Sequence, residues 1–263
     1  PVVVKPSEGS GSEGVQIFNS YNEASHHYTN QFPPIGSVVQ QYIEGPSYSI
    51  EVIGALGNYL PFQITKLGMD VAYDCKRVTA PVDLPETLTR QFESLAIKIA
   101  DQLNLKGIMD VEVILHDNQL KILEIDARFP SQTPIAVYWS SGKNMVQVLS
   151  NLFKNNIVPD RSGDEKKRFV IFEHIRVTPV AIQVEGEHIV GGNGPLHLEK
   201  NFFGADEAIT NYREEIGEWV ATLIMTGKTE LELTDKKTTV FNNIKNQFHI
   251  EQVLDSDPTS LNS

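Results

Sequence analysis

Glu124-Ile125-Asp126-Ala127-Arg128, read together with the upstream run Asp110-Val111-Glu112-Val113-Ile114-Leu115, decides the fold. Side chains alternate faces along a strand, so Glu124, Asp126 and Arg128 project together, as do Asp110 and Glu112. The two runs are joined at Asp117-Asn118, and the length of that loop decides whether the two sets meet. A three-residue loop centred on Asn118 pairs Glu112 with Glu124 and Asp110 with Asp126, whereas a two-residue loop sends the sets to opposite faces. The three-residue loop is the expectation. Carboxylates opposed on one face destabilise a sheet unless a cation compensates them. All-oxygen donors select Mg²⁺, Mn²⁺ or Ca²⁺ over zinc, and the neighbouring Arg128 implies an anion beside the metal. Metal, arginine and anion together point to phosphoryl chemistry. The plainer alternative is a solvated acidic face on an edge hairpin. The apolar set Val111, Val113, Leu115, Leu123, Ile125 and Ala127, expected on the opposite face, fits either reading.

The chain has 263 residues, enough for one large or two modest cores, and a net charge of −12 with no basic stripe. Nucleic acid is not an expected partner. The single cysteine, Cys75, excludes an intramolecular disulfide, and no apolar run reaches the ~18 residues of a membrane span, so a cytosolic protein is expected. Cys75 has no evident base near it in sequence and is not expected to be a nucleophile. Pro1-Val2-Val3-Val4 starts directly in strand-like sequence, which suggests a fragment of a longer chain.

Along the chain, Val2–Val4 and Val15–Phe18 read as strands flanking the glycine- and serine-rich loop of residues 7–14, followed by a short helix at Asn22–Asn30 and a strand at Ser37–Ile43. Ser49–Gly54 and Tyr59–Ile64 form a hairpin around Gly57-Asn58. Pro85–Leu103 carries Leu88, Phe92, Leu95, Ile99 and Leu103 at helical spacing. Met145–Phe153 continues as helix, and the segment from Asn155 to Lys167 is the expected domain boundary. Beyond it Phe169–Val184 reads as strand, Ala205–Met225 as largely helical, Lys228–Phe241 as strand again, and Asp255–Ser263 as a frayed tail.

The loop with Ser10, Gly11 and Ser12 can bring backbone N–H groups and hydroxyls onto a polyphosphate, and Lys5 adds a point charge. A flexible hairpin tip is the competing reading. Gln40-Gln41-Tyr42-Ile43-Glu44-Gly45 ends a strand at a sharp turn and can offer backbone hydrogen bonds to a flat heterocycle. Ser49 and Glu51 share a strand face, and Lys76 and Arg77 add positive charge that could reach phosphates, although taken alone each of these reads as an ordinary surface residue.

In this order, the Lys5 strand with its glycine-rich loop, the Gln-Gln-Tyr-Ile-Glu-Gly strand, and Glu112 followed by Glu124-x-Asp126-x-Arg128 resemble the ATP-grasp superfamily. Asp126 replaces the usual asparagine, and Ser47 stands where many members have a ribose-binding glutamate. The segments Lys106–Glu112, Glu124–Pro134, Tyr73-Asp74-Cys75 and Ser49-Ile50-Glu51 narrow the resemblance to the branch that joins 3-methylornithine to lysine in pyrrolysine biosynthesis. The resemblance implies an α+β, ATP-grasp fold of two subdomains gripping ATP, with an N-terminal pre-ATP-grasp domain absent from this chain. It divides the chain into residues 1–45 (remainder of the small subdomain), 46–158 (large subdomain) and 159–263 (C-terminal part packing on it).

The activity implied is ADP-forming amide ligation. Glu112, Glu124 and Asp126 would be ligands for two Mg²⁺ or Mn²⁺ ions, and Arg128 the catalytic arginine. Lys5, Ser10, Gly11, Ser12, Gln41, Tyr42 and Ile43 would bind ATP. Ser49, Glu51, Asp110 and Arg128 would bind the substrates, 3-methylornithine or D-ornithine and L-lysine. Other ATP-grasp reactions, such as D-alanine-type ligation or bicarbonate activation, remain open at this stage, as does a non-catalytic ATP- or Ca²⁺-binding module.

Overall fold

The computed structural model describes residues 1–8, 12–29, 36–155, 168–214 and 217–258. Ser10, Gly11 and the expected boundary from residue 156 onward lie outside the described residues. At the N-terminus β1 (Val2–Pro6), β2 (Gln16–Phe18) and β3 (Ser37–Gln41) form an antiparallel sheet in the order β2-β1-β3, beside α1 (Tyr21–Thr29). Its core is small, built on Val4, Phe18 and Ala24.

Among the described residues after β3, a second sheet of 12 strands organises the fold. Its elements are β4 (Ser47–Ala55), β5 (Asn58–Pro61), β6 (Thr65–Met69), β7 (Cys75–Ala80), α2 (Glu86–Gln102), β8 (Gly107–His116), β9 (Gln119–Asp126), α3 (Thr133–Ser141) and α4 (Met145–Asn155). They continue with β10 (Phe169–Val177), β11 (Ala181–Val184), α5 (His188–Gly191), β12 (His197–Lys200), β13 (Glu207–Thr210), β14 (Trp219–Gly227), α6 (Glu230–Phe248) and β15 (Gln252–Leu254). The spine runs β12-β13-β14-β10-β7-β6-β4-β8-β9. Residues beyond 168 therefore extend the same sheet, joined where Val170 to Glu173 of β10 pair with Ala80 to Arg77 of β7.

Two helices cover one part of the sheet each. Phe92, Ala96, Ile99 and Ala100 of α2 pack on Ile50, Val52, Met109 and Val111. Leu233, Val240, Phe241 and Ile244 of α6 pack on Ile175, Ala221, Leu223 and Met225. At roughly 1.5–3 kcal/mol for each large apolar side chain buried, these contacts dominate the stability of the sheet.

The structure reverses two sequence expectations. Ala205–Met225 holds β13 and β14, not helix, and Lys228–Phe241 lies largely in α6, not in strands. The apolar run Trp219–Met225 is buried at every position, a pattern that length and periodicity alone do not separate from a buried helix. The start of α6 is set by Thr229, whose hydroxyl accepts from Glu232 N at 3.1 Å, a cap that reads in sequence as Thr-x-x-Glu.

A third correction concerns the loop at Asn118. Asp117 and Asn118 alone connect His116 to Gln119, both with positive φ (48° and 58°), the two-residue turn that matches strand twist. The odd residue lies instead in a bulge between Glu112 and Val113, where the partner residues jump from Glu124 to Ile122. The bulge restores the pairing that the turn alone would have lost. It also takes Leu123 off the apolar face into the wall of the cleft described below, and leaves Ile125 40% exposed on this edge strand.

Nor is the tail frayed over its described part. β15 pairs in parallel with β11, and Lys76, whose side chain is fully buried, binds Asp255 at 2.7 Å, Asp257 at 2.9 Å and Ser256 O at 2.8 Å. Asp255 also pairs with Arg77. Burial alone would raise the Asp255 carboxyl, but the Lys76 hydrogen bond and the Arg77 charge hold it below its usual 3.8. Asp255→Asn should therefore destabilise the protein by about 1–3 kcal/mol, after allowance for partial exposure. The lowered carboxyl contributes stability that is present above its ordinary 3.8 and lost as pH falls through the lowered value, so the deficit should be full at pH 7 and shrink as pH falls below 3.8 in thermal melts.

Candidate active-site cleft

The β8–β9 register sets Asp110 opposite Asp126 and Glu112 opposite Glu124, while β4 on the other flank sets Ser49 opposite Glu112 and Glu51 opposite Asp110. Five carboxylates thus share one face of three adjacent strands. Asp110 is 3% exposed; Ser49 Oγ donates to its Oδ2 at 3.4 Å, and its Oδ1 has no hydrogen-bond partner. Burial, then the charges of Asp126 and Glu124, push it up to about 7 against the opposing pull of Arg128. Burial, then Glu124, Asp110 and Asp126, push Glu112 well above the usual carboxylate range.

Glu51 is fully buried and neither carboxylate oxygen has a partner. Burial raises it to about 8; the nearby Thr133 hydroxyl opposes this shift, although no hydrogen bond of normal geometry joins them, and Asp110 adds to it. Among the described residues, two cations touch the cluster. Lys5 reaches from β1 to Leu123 O at 3.0 Å and Glu124 at 3.6 Å, and Arg128 pairs with Asp126 at 2.8 Å. Buried acids held this far above their ordinary values, with orphaned oxygens, are electrostatically incomplete, and an all-oxygen donor set of this kind fits a hard divalent cation.

The cluster floors a cavity of about 840 Å³ between the two sheets, lined by Lys5, Ser12, Tyr73, Asp110, Glu112, Glu124, Asp126 and Arg128. A second lobe of about 600 Å³ continues from it past Gln41, Tyr42, Ile43, Gly45 and Ser47. Lys5, Ser12, Tyr73 and Glu124 line both lobes, so they form one cleft. The small sheet closes over it through Ser12 Oγ, which donates to Tyr73 O at 2.6 Å, and through Tyr42 and Tyr73, whose hydroxyls lie 3.1 Å apart. Gly45 is required where it lines the second lobe: its φ is +156°, and a Cβ there would stand 2.1 Å from Leu115 O.

The structure thus gathers Lys5, Ser12, Gln41, Tyr42, Ile43, Asp110, Glu112, Glu124, Asp126 and Arg128 around the cleft, with Ser49 and Glu51 buried behind its floor. Lys76 lies outside the cleft, committed to the tail, and Arg77 lines the second lobe but is held there by Glu173 and Asp255. Burial pushes the Cys75 thiol up, out of nucleophilic range, and its Sγ contacts Arg77 O at 3.6 Å. His174 is buried beside Thr222 and pushed down to about 4 by burial, in keeping with a structural role.

Sequence reasoning assigned no role to Tyr73, Ser131, Gln132, Thr133 or Glu187, all of which line the cleft. Among the described residues, the one group of three potential ligands whose atoms lie within 4.8 Å of one another is Asp70, Asp74 and His188. Its carboxylates are satisfied by backbone donors. Asp70 accepts from Ala72, Asp74 and Gly186, and Asp74 from Cys75 and His188, so the group is a clasp between the β6–β7 and β11–α5 turns.

Comparison with known proteins places this geometry. The chain is 34% identical over 258 residues to the 3-methyl-D-ornithine--L-lysine ligase of Methanosarcina mazei, covering 94% of this chain and 63% of that protein. The Methanosarcina acetivorans ligase of the same name is also 34% identical, with 94% and 64% covered. The chain therefore spans a little under two thirds of the length of these relatives. Among solved structures, the biotin carboxylase domain of Hydrogenobacter thermophilus 2-oxoglutarate carboxylase, crystallised with MgADP, ADP and bicarbonate, superposes with a TM-score of 0.67 at 17% identity, covering 92% of this chain and 56% of that one. The L-amino acid ligase of Bacillus licheniformis superposes at 0.64 and 18% identity, covering 92% and 62%. These two likenesses establish the fold. The ATP-grasp domain model matches residues 1–132, from the lysine strand through the carboxylate hairpin, and the chain belongs to the ATP-grasp family.

Proposed function

We propose that this chain carries the nucleotide and amino-acid sites of an ADP-forming carboxylate–amine ligase that joins 3-methyl-D-ornithine to the ε-amine of L-lysine in pyrrolysine biosynthesis. The observation that carries the reading is Glu51, fully buried, with both oxygens unpartnered, opposite Asp110 and behind the metal-type carboxylates. A bicarbonate-activating or D-alanine-type ligase has no use for a pair of buried acids there, whereas a diamine brings an ammonium that favours their ionised form.

Glu112, Glu124 and Asp126 would hold two Mg²⁺, or Mn²⁺, which when bound neutralise phosphate charge. Residues 1–45 would then act as the small subdomain, with Lys5, Ser12 and the loop at Ser10 and Gly11 on the phosphates and Gln41, Tyr42 and Ile43 beside adenine. Residues 46–158 would be the large subdomain, extended by 159–263. A substrate carboxylate oxygen attacks the γ-phosphorus, ADP leaves, and the neutral lysine amine displaces phosphate from the acyl phosphate. Ser49, Glu51 and Asp110 orient the ornithine, and Arg128 leaves Asp126 to meet the phosphoryl oxygens. Positioning and charge neutralisation suffice, without a protein nucleophile.

The test supplies full-length protein with Mg·ATP, L-lysine and D-ornithine or 3-methyl-D-ornithine, and follows ADP, AMP, phosphate and product mass. ADP and phosphate released only with both amino acids, together with one amide, is the expected outcome. AMP release, or ADP without amide, overturns it.

A further inference from the structure

Glu187 enters the cleft from the start of α5, outside the part of the chain that the family model matches. Its backbone is pinned on both sides. Gly186 N donates to Asp70 Oδ2 at 2.9 Å, and His188 donates to Asp74 Oδ2 from its N at 2.9 Å, with its Nδ1 at 2.7 Å from the same oxygen. Both aspartates are buried, and a Cβ at Gly186 would stand 2.3 Å from Asp74 Oδ2, so the turn tolerates only glycine in this packing. The clasp has the effect of fixing one carboxylate in the wall of the cavity.

Ser131 Oγ and Gln132 Nε2 both donate to Glu187 Oε2, at 2.9 and 3.0 Å. No hydrogen bond among the described residues reaches Oε1, and no lysine or arginine among them pairs with Glu187. Gln132 is only 7% exposed, and with its Nε2 turned to Glu187 its Oε1 has no partner. A buried amide carbonyl without a donor is destabilising unless a ligand supplies one. A buried amide oxygen without a donor thus stands beside a partly exposed carboxylate oxygen that no protein group holds, on one wall, which suits a group with several donors and a positive charge, an alkylammonium.

We infer that Glu187, with Gln132 Oε1, is the specificity site for the α-ammonium of the amine-donating amino acid, an inference that rests on the ligase reading above. The attacking ε-amine must be neutral, so the ammonium that lysine retains is its α-group. Ser49, Glu51 and Asp110 lie on β4 and β8 behind the metal-type carboxylates, whereas Glu187 comes from another wall and touches the loop three residues past Arg128. The two amino acids are held by different segments of the chain.

The experiment compares wild type, Glu187→Gln and Glu187→Ala, with Mg·ATP and the ornithine saturating, using lysine and 6-aminohexanoate, which differ in the α-ammonium. Glutamine keeps an oxygen for Ser131 and Gln132 and removes the charge. Expected for Glu187→Gln is a KM for lysine raised about 10- to 100-fold, unchanged KM for ATP and the ornithine, and loss of most of the preference for lysine over 6-aminohexanoate. An unchanged lysine KM, an equal rise for both amines, or a defect confined to Glu187→Ala assigns Glu187 to loop structure and overturns the inference while the ligase reading stands. A wild type that forms no amide overturns both.

Discussion

Glu112→Gln should lower ADP formation at least about 1,000-fold and, in ligand-free protein at pH 8, raise the melting temperature. The two effects share one cause. Glu112 faces Glu124 across the hairpin and Ser49 on the other side, and burial with four acidic neighbours keeps its carboxyl well above the ordinary range. An acid that holds its proton in the native state after the unfolded chain has released it makes stability fall as pH rises above about 4.5. Glutamine is neutral in both states and escapes that fall. The variant should therefore match wild type near pH 4 and exceed it at pH 8, while losing the stabilisation that Mg·ATP confers on wild type, since that gain follows ligand affinity for the native state. Melts at both pH values with and without Mg·ATP decide it. A Glu112→Gln protein that melts lower than wild type at pH 8 without ligand would show the cluster to be a satisfied ionic network, with no deficit for a cation to fill.

How much of this was legible in the sequence depends on which residues carried the signal. The pairing of Glu112 with Glu124 was legible because four acids at alternating positions leave few comfortable registers. The device that secures it was not, since a bulge at Leu123 and a longer loop at Asn118 give the same register and only the backbone distinguishes them. The amphipathic stripe of α2 announced itself, whereas β14 did not, because a run of nine buried residues has no polar face to set a period. Lys76 and Arg77 read in sequence as surface cations that could reach phosphates; their partners, Asp255 and Glu173, lie between 96 and 179 positions away and are brought to them only by the fold. Glu187 gave no local signal for the same reason. Its role is created by Asp70 and Asp74, more than a hundred residues earlier, and by a glycine whose necessity shows only in three dimensions.

Glu51→Gln should raise the ornithine KM by about 100-fold or more while stabilising the ligand-free protein, and its contrast with Glu112→Gln separates substrate binding from metal binding. Glu51 is fully buried with both oxygens unpartnered, and its carboxyl is pushed from 4.5 up to about 8. That difference corresponds to about 5 kcal/mol as a ceiling, and to the order of 2–4 kcal/mol once structural relaxation is allowed. By sign, the folded value is raised, so wild type loses stability between pH ~4.5 and 8 and the glutamine variant does not. The gain of the variant should be absent at pH 4.5 and greatest from pH 8 upward. Unlike Glu112→Gln, this variant should keep its stabilisation by Mg·ATP, because Glu51 lies on β4 behind the nucleotide carboxylates rather than among them. It should lose the extra stabilisation that D-ornithine gives wild type. If Glu51→Gln instead abolished the Mg·ATP effect and left the ornithine effect intact, Glu51 would belong to the metal site, and the buried acid pair would no longer support a diamine substrate.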